Sequence, residues 1–277
     1  MMKKLFFMCV AALSLTACTG NKQTKTEEPK TKSLVVYYSQ TSTTEQVAKI
    51  IASSVGADIE AIVPEVPYDG DFGATIARCQ EEMGKGEYPK LKALEHNLAD
   101  YDTIYVGCPV WFGIAALPMT SWLKSTDLSG KIIVPFVSFG SGGLETTTNA
   151  MKELAPKSTF IEGYGVRTAR ISKAAAEIEE FLVRRGIKTG SVEEEKPFGE
   201  ERTLSDEDKT IFDQACGTYS MPLGTPVAVS ERDAKDGKEY RYKVESQDAQ
   251  GNKAQALIFV ITSTQEEVTP EFTRVVR

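Results

Sequence analysis

The segment 35–52 most constrains how this chain can fold. An apolar run at 34–38 is followed by a cluster of hydroxyl side chains, and then by apolar residues at helical spacing. That order predicts a strand, a polar turn and a helix. Unpaired N–H groups and the positive end of a helix dipole meet at such a turn, so it can hold an anion without Lys or Arg. The alternative is that the hydroxyls only cap the helix.

Four further apolar segments alternate with helical patterns after this first unit. The predicted strands are 58–63, 103–107, 131–137 and 159–166. The predicted helices are 71–83, a helix from Pro118 to about 126, 144–154, and one that Ser172 caps and Gly186 ends. Buried strands that alternate with helices indicate a parallel sheet covered on both faces. We therefore predict an α/β fold with a five-stranded parallel sheet, and we take its strand order as 2-1-3-4-5, one of the common orders of such sheets.

Three unusual turns follow the first, third and fourth predicted strands. They span residues 39–44, 108–113 and 138–143. In open parallel sheets, ligands bind beyond the carboxyl ends of the strands at a change in strand order. The order 2-1-3-4-5 makes the three turns neighbours, so they form one site. We interpret this site as a pocket for flavin mononucleotide (FMN), with the phosphate at the first turn.

The motifs in these turns resemble those of a known family. The chain reads YSQTSTT at 38–44, PVWFG at 109–113 and PFVSFGSG at 135–142. Residues 34–185 resemble the flavodoxin-like family, specifically its compact bacterial branch, which reads YxSxTGNT, PxWWG and PFxTxGGSG at these places. One departure is Ser42, which replaces the usual glycine and costs about 1–2 kcal/mol if the turn needs a left-handed backbone. Whether FMN is retained is therefore open at this stage.

The resemblance implies a role for each turn. Hydroxyl and N–H groups of the first turn would hold the phosphate, and the aromatic side chains of the second would line the isoalloxazine ring. The third turn would approach the other edge of the ring, where glycines let the backbone come close. Core packing is the alternative for Trp111 and Phe112. The implied FMN-binding residues are Ser39, Thr41, Ser42, Thr43, Thr44, Pro109, Val110, Trp111, Phe112, Gly113, Ser138, Gly140, Ser141 and Gly142.

The sequence offers no motif for acid–base, nucleophilic or metal chemistry, so we predict no catalytic side chain and no metal. The one histidine, His96, lies in a polar stretch and is expected at the surface. Three cysteines of the expected mature chain, Cys79, Cys108 and Cys216, cannot all pair, and their spacing matches no zinc site. The redox chemistry would then be that of the flavin itself.

The first residues predict an export signal. Two lysines precede an apolar stretch at 5–15 that is too short to cross a bilayer, and residues 15–18 read LTAC. LTAC resembles the bacterial lipobox, in which cleavage leaves a lipidated cysteine first. We predict a signal peptide at 1–17, lipidation of Cys18 and a polar tether at 18–32. An ordinary cleavage site before an incidental cysteine is the alternative. Thr19 after the cysteine favours, by resemblance to lipoprotein sorting, the periplasmic face of the outer membrane.

The remaining residues predict a second, smaller α+β domain. We predict a flavodoxin-like domain at 33–188, an acidic linker at 189–204 and the second domain at 205–277. Ser205 with Asp208 predicts a helix start, and strand patterns follow at 226–231, 239–245, 254–262 and 271–276, with turns at 235–238 and 250–252. GKEY at 237–240 faintly resembles the cystatin-like fold. A docking role and a structural appendage are both open.

The net charge and the predicted location limit the partners that can be expected. The formal net charge is −7 and no basic patch predicts nucleic-acid binding. Outside the cytoplasm soluble NAD(P)H is not expected, so we predict a redox partner protein or a quinone at the membrane. The predicted function is FMN-dependent electron transfer or reduction by a lipoprotein of the cell envelope. The alternative is an envelope docking or binding lipoprotein without cofactor.

Overall fold

The computed structural model describes residues 32–69, 71–247, 251–265 and 268–277, without the side chain of Phe72. The described residues fall in one compact unit. The predicted signal peptide 1–17, Cys18 and all of the tether but Lys32 lie outside them. No helix in the described ranges combines the length and the apolar character that a membrane crossing needs.

The first part of the chain forms the predicted parallel sheet. Its strands are β1 (Ser33–Tyr37), β2 (Asp58–Ala61), β3 (Thr103–Trp111), β4 (Ile114–Ala115), β5 (Ile132–Phe139), β6 (Thr159–Phe160) and β7 (Tyr164–Arg167). Its helices are α1 (Thr43–Val55), α2 (Phe72–Lys85), α3 (Leu117–Ser125), α4 (Leu144–Leu154) and α5 (Ala174–Arg184). Neighbouring strands run parallel in the order β2-β1-β3-β5-β6, with β7 also paired to β5 and β4 antiparallel to β3. The predicted α/β sheet and its strand order are confirmed.

Helices cover both faces of this sheet, which is why its central strands read as unbroken apolar runs. Successive side chains of β1 point to opposite faces. Leu34 and Val36 join one hydrophobic core, whereas Val35 and Tyr37 join the other. The alternation assigns each side chain of β1 to one face, and the turn that follows the strand emerges at the carboxyl edge of the sheet.

Three details differ from the sequence prediction. Strand β3 extends to Trp111, so residues 108–111 of the predicted second turn belong to the strand. The predicted fifth strand is split into β6 and β7, because Pro135 of β5 lies opposite the break and has no N–H to donate. The prediction that Ser172 caps the last helix was wrong. Ser172 lies inside a 3-10 turn, Thr168–Lys173, and α5 begins after that turn.

The C-terminal part forms the predicted smaller antiparallel sheet. Helix α6 (Asp206–Cys216) precedes β8 (Thr225–Ala234), β9 (Gly237–Gln247), β10 (Lys253–Ser263) and β11 (Glu271–Val276), in the order β11-β10-β9-β8. The predicted Ser205–Asp208 capping box is present. Phe212 of α6 packs edge-on against Tyr242 of β9 and closes the core on one face. Gln250 of the predicted 250–252 turn lies outside the described residues.

The predicted linker 189–204 has no helix, and its second half runs along β8. Arg202 and Val229 exchange two backbone hydrogen bonds, and the Gly199 N–H donates to the Glu231 carbonyl. Phe198 of the same segment packs edge-on against Phe259 of β10. The acidic segment therefore packs on the second sheet as an irregular edge.

Candidate functional site

A large cavity lies at the carboxyl ends of β1, β3 and β5. Its volume is about 1310 Å³, above the roughly 300–1,000 Å³ of ordinary ligand pockets. Binding of FMN by the residues of the three turns remains a prediction. The predicted residues that line the cavity are Thr41, Thr44, Pro109, Val110, Trp111, Phe112, Gly113, Ser138, Gly140, Ser141 and Gly142. Ser39, Ser42 and Thr43 belong to the first turn but do not line it.

The first turn leaves the start of α1 without a side-chain cap. Ser42 precedes α1 with a left-handed backbone (φ 62°, ψ 0°), and its hydroxyl does not cap the helix in the described chain. The hydroxyl of Ser39 is buried and has no hydrogen-bond partner among the described residues. A buried unpartnered hydroxyl beside uncapped helix N–H groups fits the phosphate of FMN. The left-handed Ser42 costs about 1–2 kcal/mol relative to glycine.

The first and third turns are tied together inside the protein. The hydroxyls of Thr44 and Ser138 lie 2.8 Å apart in a buried hydrogen bond. Both side chains are almost fully buried. The geometry therefore gives these hydroxyls a structural partner and fixes the spacing between the two turns.

The second turn is a tight hairpin with an unusual residue in it. Trp111 pairs with Ile114 across β3 and β4, so the loop consists of Phe112 and Gly113, both with positive φ (53° and 79°). Positive φ at both loop positions defines a type I′ turn, which favours Asn-Gly. A phenylalanine there is strained, yet its side chain is 51% exposed and lines the cavity. Strain retained at an exposed cavity residue points to a binding role.

Trp111 joins an aromatic cluster. Its ring centroid lies 5.6 Å from that of Tyr38 and 5.2 Å from that of Tyr68, both edge-on. The Arg78 guanidinium lies 3.7 Å from the Tyr68 ring centroid. These contacts hold the indole in one orientation at the cavity wall. Core packing and site lining thus coexist at Trp111.

The third turn contacts the C-terminal sheet. The Val275 N–H of β11 donates to the Ser141 carbonyl at 2.7 Å, and Gly142 is bridged to Val275. A Cβ on Gly142 would lie 2.1 Å from the Val275 carbonyl oxygen. We expected the absence of a Cβ at Gly142 to make room for the edge of the flavin ring. It makes room for the backbone of β11.

None of the three cysteines Cys79, Cys108 and Cys216 lines the cavity. Burial raises the pKa of the Cys108 thiol to about 12, although a backbone hydrogen bond from Ala116 opposes the shift. The thiol therefore stays protonated at neutral pH and is a poor nucleophile. Cys79, Cys108 and Cys216 are free and buried. His96 bonds to Glu60 through Nδ1 at 2.8 Å and does not line the cavity.

Sequence reasoning missed part of the cavity wall. Gln40 lines it, and its side-chain amide is fixed by the Tyr68 carbonyl and the Thr75 hydroxyl. Residues of α2, α4 and the segment 160–163 line it as well, and the second sheet domain supplies a further part. No spacing in the sequence shows which surfaces of two domains meet. The C-terminal residues at the cavity are Tyr219, Ser220, Met221, Arg274, Val275, Val276 and Arg277.

Known proteins are similar to part of this chain. A protein from Caulobacter vibrioides named NAD(P)H dehydrogenase (quinone) is 33% identical over 130 residues, which cover 42% of this chain and 61% of that protein. The chain thus spans less than two thirds of that relative's length.

Solved structures match over the first part of the chain. A candidate flavoprotein from Bacteroides eggerthii is 26% identical, with 57% of this chain and 99% of the other covered and a TM-score of 0.48. A flavoprotein in complex with FMN from Lactobacillus acidophilus is 22% identical, with 54% and 97% covered and a TM-score of 0.44. A family model described as flavodoxin matches residues 32–181, which is more than half of the chain. The chain therefore belongs to the flavodoxin family, and this membership supports FMN as its cofactor.

Proposed function

We propose that this chain is an FMN-dependent oxidoreductase of the cell envelope that reduces a quinone or passes electrons to a redox partner protein. One observation carries the proposal: the turns after β1, β3 and β5 meet around a single cavity of about 1310 Å³. Bound FMN supplies two-electron chemistry, so that two electrons and two protons from a donor convert a quinone to its hydroquinone. The name of the Caulobacter relative supports a quinone as the acceptor.

The residues of the chain would bind and orient the cofactor. The uncapped start of α1, with Thr41 and Thr44 at the cavity, would receive the phosphate. Trp111 and Phe112 would give the ring apolar contact. The buried Thr44–Ser138 hydrogen bond would keep the phosphate and ring subsites at a fixed distance.

The first experiment is FMN binding. The chain purified without refolding should be yellow and release FMN on heating, and the apoprotein should bind added FMN. Trp111→Ala should raise the FMN dissociation constant about tenfold, because the ring loses a large apolar contact. Absorbance and fluorescence titrations measure both effects.

The other tryptophan provides a matched control. Trp122 is buried in α3 and does not line the cavity. Trp122→Phe should lower stability while leaving the FMN dissociation constant of the folded protein within about twofold. A colourless wild-type protein that binds no added FMN would contradict the proposal.

We also propose that Cys18 carries a lipid anchor. The LTAC sequence at 15–18 after a short apolar stretch supports this proposal. Cys18→Ala should move the protein from the membrane fraction to the soluble envelope fraction, measured by cell fractionation. Cys9→Ala, in the same predicted signal, should leave the anchor intact. Membrane association that survives Cys18→Ala would rule the anchor out.

A second candidate function is an envelope docking lipoprotein that has lost its cofactor. The strained Ser42 in the phosphate turn favours it, because glycine would take that conformation without cost. The helix α6 on an antiparallel sheet supports the proposed resemblance of the C-terminal domain to the cystatin-like fold. FMN titration of the purified chain separates the two candidates.

A further inference from the structure

The C-terminal sheet domain forms one wall of the flavin cavity. A backbone hydrogen bond from the Val275 N–H to the Ser141 carbonyl joins strand β11 to the third turn. The segment 219–221, which follows α6, lines the cavity together with β11. The Tyr219 hydroxyl would lie 3.5 Å from a Cβ on Gly140, so it is close to the turn predicted to approach the flavin ring.

Arg167 holds this wall in place. Its Nε donates to the Gly140 carbonyl and its Nη1 to the Phe272 carbonyl, both at 2.7 Å. Its guanidinium lies 4.0 Å from the Phe272 ring centroid and 5.3 Å from that of Tyr219. One side chain thus contacts the third turn, strand β11 and the segment 219–221.

Arg170 adds a second tie between the two domains. It pairs with Glu177 of α5 and with Glu271 of β11, each at 2.9 Å. The arginine side chain is mostly buried, whereas the two carboxylate side chains are 31% and 34% exposed. The wall is therefore a fixed part of the site.

Two large apolar side chains remain exposed at this cavity. Phe112 is 51% exposed on the flavodoxin side, and Met221 is 57% exposed on the C-terminal side. Both line the cavity. Exposed apolar residues gathered at a concave site mark ligand binding. Methionine adapts its shape to flat aromatic ligands and makes favourable sulfur–aromatic contacts.

The volume leaves room for a second molecule. A cavity of about 1310 Å³ exceeds the roughly 300–1,000 Å³ that holds one drug-sized ligand. The segment 219–221 lines this space, and a concave space of this size suits a small acceptor.

We propose that the segment 219–221 forms the acceptor subsite of the cavity and that Met221 selects flat, apolar acceptors of the quinone class. This inference rests on the proposed FMN-dependent function. It assigns the C-terminal domain a role in substrate choice.

The test compares two methionines that differ in position. Met221→Gln removes apolar character with little change in size or charge, and Met83→Gln does the same at a 44% exposed methionine of α2 that does not line the cavity. Oxidised FMN-loaded protein is titrated with menadione, and binding is followed by flavin fluorescence and calorimetry. Met221→Gln should raise the menadione dissociation constant about tenfold. The FMN dissociation constant should stay within about twofold.

Reoxidation of the dithionite-reduced protein gives a second readout. Met221→Gln should slow reoxidation by menadione and leave reoxidation by ferricyanide, which is neither flat nor apolar, unchanged. Met83→Gln should match the wild type with both acceptors. Equal menadione binding by wild type and Met221→Gln, or equal losses in the two variants, would overturn the inference while FMN binding stands. A wild-type chain that binds no FMN would remove both the inference and the proposed function.

Discussion

Replacing Phe112 by asparagine is expected to stabilise the apoprotein and to weaken its binding of FMN. The residue occupies the first loop position of a type I′ turn with φ 53°, where asparagine is favoured before Gly113. Relief of the left-handed backbone should raise the free energy of unfolding by about 1 kcal/mol. Loss of the exposed ring should raise the FMN dissociation constant about tenfold. Urea unfolding of the apoprotein and FMN titration measure the two effects separately.

Phe112→Leu is the matched control for strain. Leucine keeps a bulky side chain at positive φ, so no gain in stability is expected, while the flat ring is still lost. Weakened FMN binding without stabilisation in Phe112→Leu would assign the two effects of Phe112→Asn to different causes. An asparagine variant that binds FMN as tightly as wild type would show that the strained ring does not serve the cofactor.

Gly142→Ala is expected to be strongly disruptive. The new Cβ would lie 2.1 Å from the Val275 carbonyl oxygen, a backbone atom that cannot rotate away. Strand β11 or the third turn must shift, at a cost of about 1–3 kcal/mol in the free energy of unfolding. Because the same turn lines the cavity, FMN and menadione binding should weaken together. Urea unfolding and both titrations check this result.

Gly140→Ala is the control in the same turn. Among the residues that the structure describes, its Cβ would meet only the Tyr219 hydroxyl, at an ordinary 3.5 Å. Its free energy of unfolding should stay within about 0.5 kcal/mol of wild type. Similar losses in the two variants would indicate that the turn is sensitive to any side chain, and would contradict a specific contact with β11.

The sheet and the positions of its turns could be predicted because they depend on local patterns. Apolar runs such as that of β5 are buried on both faces, and strand order places their carboxyl ends together. The left-handed backbone at Ser42 could also be anticipated, since glycine is usual there in the family that the motif resembles. The split of the last parallel strand depends on one missing N–H at Pro135, which a count of apolar residues does not register.

The wall of the cavity could not be predicted from the sequence. Val275 is far along the chain from Ser141, and nothing in either segment marks the other as its partner. Arg167 looks like a solvated charge in the sequence, but its two carbonyl acceptors belong to different domains. Contacts between domains depend on surface shape, which periodicity does not encode. The left-handed backbone of Phe112 could not be predicted either. This turn usually carries asparagine at its first position, and this chain has phenylalanine there.

The pairing of β11 with the third turn also sets the time at which the cavity becomes complete. A chain that emerges from the ribosome with its N-terminus first presents all three turns of the cavity before Val275 has been made. Until then the Ser141 carbonyl lacks its partner and the cavity lacks one wall. An unfinished chain would therefore hold flavin only loosely. Secure capture of the cofactor would be coupled to completion of synthesis, and, for a chain that crosses a membrane unfolded, to arrival on the far side.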